Sequence, residues 1–537
     1  MKKERESMKK FLSLTLAAMM ALSLVGCGGS KTAETTAAAA AETKAAEAGA
    51  ETEAAAEENK TYRDHLTIAF ESQITQLDPQ GSGNANEIHA KLFAMTHDTL
   101  FKYNPATGEI EPELAAEWEW LDDECTQLHI KLRDDVVFHN GNKLTAEDVE
   151  FTLGRVQGDT QITNFYDHCD IESDTEFTIV LKQGSVDFVY ILSRPFDSIV
   201  NKAAVEADPD FGAAIGSGVW VNNLDGYVAG DTIELVRNED YWGELPETKT
   251  ITIKHIANAS SRLMALESDE VQLIYSLANT EIELAKQNDE IEVIEFPTTR
   301  LYYFAFNTSN GPATDVNLRK AVAYAINKED LIAAVGDTGA EVAVTFYGNA
   351  MSAYTEDIGE PVSYDPEKAK EYVALCGDNT SIKLMANTTN ATFKTMAEFI
   401  QEQLRQVGIT MEIEEVDSAG ISANTKYATA SHESMIYSIG TNIWDSDMDR
   451  LLSVGVNSNK AIVDDAQISE LLLKGASCND PAERAEYYKE VQVINNEQMY
   501  YIPLYYCSAQ IAYTKGLEGI TITPTGYYDY SQIALAE

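Results

Sequence analysis

Basic residues are scarce in this sequence: 39 lysines and arginines stand against 87 aspartates and glutamates, a net charge of −48 over 537 residues. So acidic a chain repels phosphate backbones and anionic lipid, which argues against nucleic acid as a partner and against electrostatic attachment to a membrane. Paired cysteines are missing too. Of the six, none shows C-x-x-C spacing, so a disulfide framework is not expected. Catalytic signatures are equally thin, with no G-x-S-x-G elbow, no H-E-x-x-H zinc helix and no Walker loop. Asp337-Thr338-Gly339 spells the aspartic-protease triplet, but two carboxylates sharing a proton need a second copy, and none occurs. Asp445, Asp447 and Asp449 are spaced like the opening of a calcium loop, yet Arg450 replaces the turn glycine and Val456 stands at the bidentate glutamate. Asp167, His168, Cys169 and Asp170 are consecutive, which keeps them from converging on one ion, and a surface loop is expected there. His139, in a Phe-His-Asn-Gly turn, reads as structural. No metal, no cofactor and no enzymatic activity are expected.

What is present begins at the N-terminus. Lys9 and Lys10 precede an apolar run from Phe11 to Val25, too short for a typical spanning helix, which reads as an export signal. The run ends in Leu24-Val25-Gly26-Cys27, similar to a bacterial lipobox, in which small residues suit the lipoprotein signal peptidase and the Cys27 thiol takes the lipid. Residues 1–27 are therefore expected to be a lipoprotein signal. Residues 28–60, rich in Ala, Glu and Thr with little apolar bulk, read as a solvated tether. No second long apolar run follows, so the lipid is the expected sole attachment to a membrane. Cys125, Cys169, Cys376, Cys478 and Cys507 read as mostly buried free thiols, with one bridge left open by an extracytosolic compartment.

Past Thr61 the length calls for two or three packed units. Short strand patterns alternate with capped amphipathic helices. Thr145 with Asp148 opens one helix, which carries Val149 and Leu153 on a single face. Asp315 precedes a stripe of Leu318, Ala321, Val322 and Ala325, and Asp365-Pro366 opens another helix. Phe393, Met396, Ile400, Leu404 and Val407 form a further stripe closed by Gly408. Asp480-Pro481 opens the last long helix, which carries Tyr487, Val491 and Ile494. Such recurrence predicts mixed α and β lobes, each a sheet covered by helices.

The segment LHIKLRDDVVFHNGNKLTAEDVEFTLGRV, from Leu128 to Val156, resembles the signature of the extracytoplasmic peptide- and nickel-type solute-binding proteins of ABC importers, solute-binding protein family 5. QLDP (Gln76–Pro79), EPELAAEWEW (Glu111–Trp120), RNEDYWGELP (Arg237–Pro246), FNTSNGPATDVNLRKAVAYAINKEDL (Phe306–Leu331) and YDPEKAKEYV (Tyr364–Val373) resemble that family in the same order. Two stretches depart from it. Ile215-Gly216-Ser217-Gly218-Val219-Trp220 replaces an IGTGPY-like turn, and Asp269-Glu270-Val271-Gln272 replaces a Gly-Glu-Val-Asp step.

The resemblance implies a two-lobed periplasmic-binding-protein-like fold (type II, cluster C) with an inserted domain and a hinged cleft. Lobe I would comprise 61–95, 217–297 and 500–537, the inserted domain 96–216, and lobe II 298–499. It implies a monomeric binder, lipid-anchored on the outer face of the cell membrane (periplasmic where a cell has two), that captures a small solute and delivers it to permease subunits. Peptide is the leading ligand. Nickel or another metal chelate, an opine and an oligosaccharide are the alternatives, and a cell-surface peptide hydrolase is the remote one. By the same resemblance, Trp444 with Asp447, or Asp445 in the neighbouring register, meets a cationic ligand end. Asn387 stands where dipeptide-type members carry an arginine upstream of Met396-Ala397-Glu398, which weakens a strict dipeptide preference. Arg300 would clamp a carboxylate with its fork. Of the paired tyrosines Tyr302, Tyr303, Tyr505, Tyr506, Tyr527 and Tyr528, one ring of each pair is expected in the core and one outside, with Tyr303 and Tyr505 turned to the cleft. Gln73 is a candidate for pairing with ligand backbone.

Overall fold

Two long antiparallel strands, Ile291–Phe306 and Tyr501–Thr514, organise the body. The computed structural model describes residues 60–537 apart from 82–86, 157–159, 226, 231, 441 and 526–527. The expected signal, Cys27, and the tether up to residue 59 lie outside the described residues. The two strands sit at the centre of a sheet that has eleven strands among the described residues. Leu273–Tyr275, His65–Phe70, Thr250–His255, Ile233–Arg237 and Trp220–Asn222 follow on one side, Ser434–Ile439, Ser381–Asn387 and Thr410–Val416 on the other, and the short Glu341–Val342 also pairs with Tyr501–Thr514. Pairing of the long strands is continuous from Ile291 to Pro297 against Thr514 to Ser508, and resumes from Leu301 to Ala305 against Tyr506 to Tyr501. Between them Thr298, Thr299 and Arg300 leave the ladder. Pro297, with no N–H to donate, stands at the edge of that break.

Both faces of the Leu301–Phe306 stretch are covered. Leu301, Tyr303 and Ala305 enter one apolar core and Phe304 and Phe306 the opposite one, as a two-residue period requires. The paired tyrosines follow from this: Tyr302 and Tyr505 stack at 4.8 Å on one face, while Tyr303 and Tyr506 are buried on the other. The expected outward ring of each of these pairs therefore faces a second core instead of solvent.

Local signals produce the covering helices. Ala391–Val407 starts where the Asn390 side chain accepts from the N–H groups of Thr392 and Phe393, and ends at Gly408, whose φ of 94° suits glycine. Its expected stripe is buried against the sheet. Asp315, Asp365 and Asp480 cap their helices in the same way. The buried face of Pro481–Gln498 carries Arg484, Tyr488, Val491, Gln492 and Asn495, with Tyr487 and Ile494 only partly covered. The polar members are held by hydrogen bonds: Gln492 donates to Ala353 O, and Asn495 to Tyr501 O.

A separate four-stranded antiparallel sheet, Ala115–Trp120, Gln127–Leu132, Glu176–Leu181 and Tyr166–Ser173, packs Leu128, Ile130, Phe177 and Ile179 against Val149 and Leu153 of the Ala146–Arg155 helix. Asp167 to Asp170 thus lie in an edge strand rather than a surface loop. Register shifts on either side leave Asp167, His168 and Asp170 exposed, with the His168 ring 2.9 Å from Asp167 and 3.5 Å from Asp170, while Cys169 is buried. Asp78 of the QLDP turn receives both Nη atoms of Arg155, at 2.8 and 2.7 Å. Among the described residues five cysteines are free, and no helix is long and apolar enough to cross a membrane.

Candidate functional site

A cavity of about 770 Å³, counting its open mouth, lies where four distant parts of the chain meet. Its lining includes Ala94, His97, Thr99, Lys102, Tyr103 and Glu113, then Ser193, Arg194, Pro195 and Ser198, Asn442–Trp444, and Thr521, Thr523, Thr525, Tyr528 and Asp529. Each wall has its own support. Ile443 and Trp444 are anchored in the core of the four-stranded sheet although they follow the Ser434–Ile439 strand of the large one. Asp529 is held by a two-residue ladder between Thr521–Ile522 and Tyr528–Asp529, and its Oδ1 accepts from Ser531 N at 2.8 Å. Tyr528 stacks on Tyr530 at 5.7 Å and meets the edge of Tyr275 at 5.0 Å. Two glycines pack against the backbone between the lining residues Ala94 and His97: a Cβ on Gly216 would overlap Thr96 O, and one on Gly218 would come within 2.6 Å of Met95 O.

The charges in the cavity are unevenly matched. Lys102 Nζ lies 2.5 Å from Asp529 Oδ2. Burial alone would raise the Asp529 carboxyl, but the charge and hydrogen bond of Lys102 outweigh it and hold it below the usual range. Arg194 donates Nε to the buried Asp197 at 2.6 Å. Glu113 has no such cation to itself. Its Oε2 accepts from the N–H and hydroxyl of Thr99, at 2.9 and 2.6 Å, and burial followed by the charge of Asp98 pushes the carboxyl up to about 8. Asp98 is raised as well, by burial, against hydrogen bonds from Trp242 and Tyr241. Burial drives His97 down to about 4, and its Nε2 bonds Ala213 O. The ring is neutral at physiological pH.

Of the residues singled out from sequence, Trp444 lines the cavity. Asp445 and Asp447 lie just behind it, each 2% exposed. Asp445 accepts from Ser352 Oγ and Ala353 N and stands 3.6 Å from Arg484 Nε. Asp447 accepts from Asn442 N at 2.8 Å, Arg450 Nη2 at 2.9 Å and Gln161 Nε2 at 2.9 Å. Tyr303 and Tyr505, each 1% exposed, are core side chains rather than cavity walls, because the sheet that carries them is covered on both faces. Arg300 lays its guanidinium against Gly440 at the strand break, and its N–H donates to Thr298 Oγ1. Asn387 ends its strand, bonding Ser418 and Thr389. Gln73 rests beside Gly230. None of these last five is among the lining residues. Lys102, Glu113, Arg194, Asn442 and Asp529, which do line it, were not singled out, although Glu113 lies in one of the family-like blocks. Among the described residues no three His, Cys, Asp or Glu side chains are grouped to hold a metal ion.

A body built on two shared long strands, with a cavity walled by both the large sheet's loops and a smaller domain, defines a two-lobed binding-protein fold of mixed α and β structure. Residues 109–461 match the family described as bacterial extracellular solute-binding proteins, family 5, middle. The chain belongs to this family, the solute-capturing components of ABC importers. It is similar to the glutathione-binding protein GsiB of Escherichia coli strain K12, 27% identical over 486 residues that cover 86% of this chain and 93% of that protein. The fold is similar to that of the ABC transporter substrate-binding protein CtaP of Listeria monocytogenes, with a TM-score of 0.79 at 22% identity over 89% of this chain and 100% of that one. It is also similar to the ABC transporter-associated periplasmic binding protein DppA of Helicobacter pylori in complex with the peptide STSA, with a TM-score of 0.70 at 22% identity over 89% and 99% of the two chains.

Proposed function

We propose that this protein captures a short peptide in the cavity beside Trp444 and presents it intact to the permease of an ABC importer. The observation that carries the reading is the composition of the cavity, which is walled by aromatic rings, hydroxyls and carboxylates from segments on both sides of the break at Thr298–Arg300. That mixture suits a small ligand with polar ends and an apolar middle. GsiB binds glutathione, itself a short peptide, and the relatives are binding proteins, which supports capture without bond chemistry. The break in the long strands is the natural hinge, with lobe I formed by 61–95, 217–297 and 500–537, the inserted domain by 96–216, and lobe II by 298–499. Lipid on Cys27 would keep a monomeric body beside the permease.

The test is mass spectrometry of small molecules released on denaturing the purified protein, followed by melting scans with each compound added back. A ligand at about 100 times its Kd stabilises the fold by about 2.7 kcal/mol. Intact short peptides that raise the Tm are the expected result. Chelates, opines or oligosaccharides doing so in their place would overturn the ligand class, and cleaved peptides would overturn capture without chemistry.

A further inference from the structure

Resting on the reading of the cavity as a peptide site, we infer that Glu113 is the seat of the ligand's ammonium group, which makes it a specificity-determining residue. Three observations converge. The aspartates behind Trp444 already have partners: Asp445 is engaged by Ser352, Ala353 and Arg484, and Asp447 by Asn442, Arg450 and Gln161. Neither lines the cavity. Glu113 does line it, and both hydrogen bonds from Thr99 fall on Oε2, so Oε1 accepts none among the described residues.

The balance of charge decides which ligand group Oε1 would receive. Among the lining residues Lys102 is shared by Asp529, Glu113 and Asp98, and Arg194 sits on Asp197, while the buried Lys91 nearby lies over the Tyr528 ring. His97 is neutral. That sharing leaves a surplus of negative charge at Glu113 and Asp98, and a ligand carboxylate would add to it, whereas an ammonium offsets it with a charge-assisted hydrogen bond. Burial and the charge of Asp98 push the Glu113 carboxyl up to about 8, so that it holds a proton near neutral pH. The seated ammonium favours the ionised form, so that proton leaves the carboxyl for solvent as the ligand enters. Binding is then an exchange of a ligand cation for a proton.

Two equimolar tripeptide mixtures, one with free amines and one N-acetylated, are offered to the full-length protein and to Glu113→Gln, and the retained species are counted by mass spectrometry. The tightest retained tripeptide is then titrated calorimetrically in two buffers of different ionisation enthalpy. The expected result is a preference of about tenfold or more for free amines, release of a proton near pH 7, and affinity that rises between about pH 6.5 and 8. Glu113→Gln, whose amide oxygen still accepts from Thr99, loses the preference and the proton release. Equal retention of both mixtures overturns the inference and leaves the peptide reading standing. So does proton uptake on binding, which would mean that a protonated Glu113 donates to a ligand carboxylate, and so does a Gln variant that keeps the preference. Retention of neither mixture overturns the peptide reading and this inference with it.

Discussion

Asp187 and Asp445, far apart in sequence and both buried, are held around one guanidinium: Arg484 stands 4.0 Å from Asp187 Oδ1 and 3.6 Å from Asp445 Oδ2. Ser446 N–H also donates to Asp187, so the helix Phe188–Ile191 and the turn after Trp444 are tied directly. Two carboxylates against one cation leave an excess of negative charge. Burial, then the charge of Asp187, pushes the Asp445 carboxyl up to about 6.

A carboxyl raised on folding binds more protons folded than unfolded. Its contribution is fully favourable below the ordinary carboxylate value and is lost as the pH rises through about 6. Asp187→Asn removes the repulsion and keeps an oxygen for Ser446. Relative to wild type, this variant should gain stability on the order of 1 kcal/mol as the pH rises from about 4 to about 6. Urea titrations at the two ends of that window measure it, and a difference that does not vary with pH would rule out the coupling.

Asp447 holds the cavity-facing Asn442–Trp444 segment through the Asn442 N–H and reaches Gln161 in the Tyr166–Ser173 neighbourhood. Asp447→Ala should destabilise the fold by about 2 kcal/mol, because it removes the acceptor of the part-buried Asn442 N–H and of Gln161 and Arg450. Ligand affinity should fall with it. Asp447→Asn, which keeps an acceptor, should recover part of both. Denaturation and binding curves on the two variants decide whether the side chain is a positioning residue or a direct ligand contact, for which the Asn variant would regain no affinity.

Gly216 packs against the Thr96 backbone, with the ring of His97, a cavity-lining residue, 2.7 Å from where a Cβ would stand. Gly216→Ala should push the Thr96–His97 segment into the cavity and weaken ligand binding by tenfold or more, as a shift of the wall breaks its fit. Gly359→Ala is the control. It has open space around its Cβ and tests only the strain of its positive φ of 87°, so it should lower Tm slightly without changing affinity.

Leu404, fully buried beneath the sheet, offers a test of the core far from the site. Leu404→Ala should lower the unfolding free energy by about 3 kcal/mol at unchanged ligand affinity in the folded protein. A loss of affinity as large as that produced by Gly216→Ala would mean that this core sets the cavity's shape.

The elements legible in the sequence are those written within a few residues. Asn390 to Gly408, or Asp365 followed by Pro366, carries its own start, face or stop, and the structure follows each. The Pro481–Gln498 face was less legible because its buried side includes Gln492 and Asn495, whose partners Ala353 and Tyr501 are not helix neighbours. Trp444 could be read through family likeness. The Lys102–Asp529 pair could not, since 427 residues separate its members and only the topology brings them together. The tyrosine pairs misled for a related reason: period-2 alternation tells which rings share a face but not that both faces are covered.

The shared strands also bear on how the molecule comes apart. Chains with independent lobes commonly unfold in stages, one domain at a time. Here Ile291–Phe306 and Tyr501–Thr514 supply central strands to both halves of the sheet, so melting either half strips backbone partners from the other. The cooperative unit is consequently larger than a lobe. Heating should show both halves of the sheet giving way together, with the calorimetric enthalpy close to the van't Hoff value, so the break at Thr298–Arg300 lies in the seam through which the two halves share their stability.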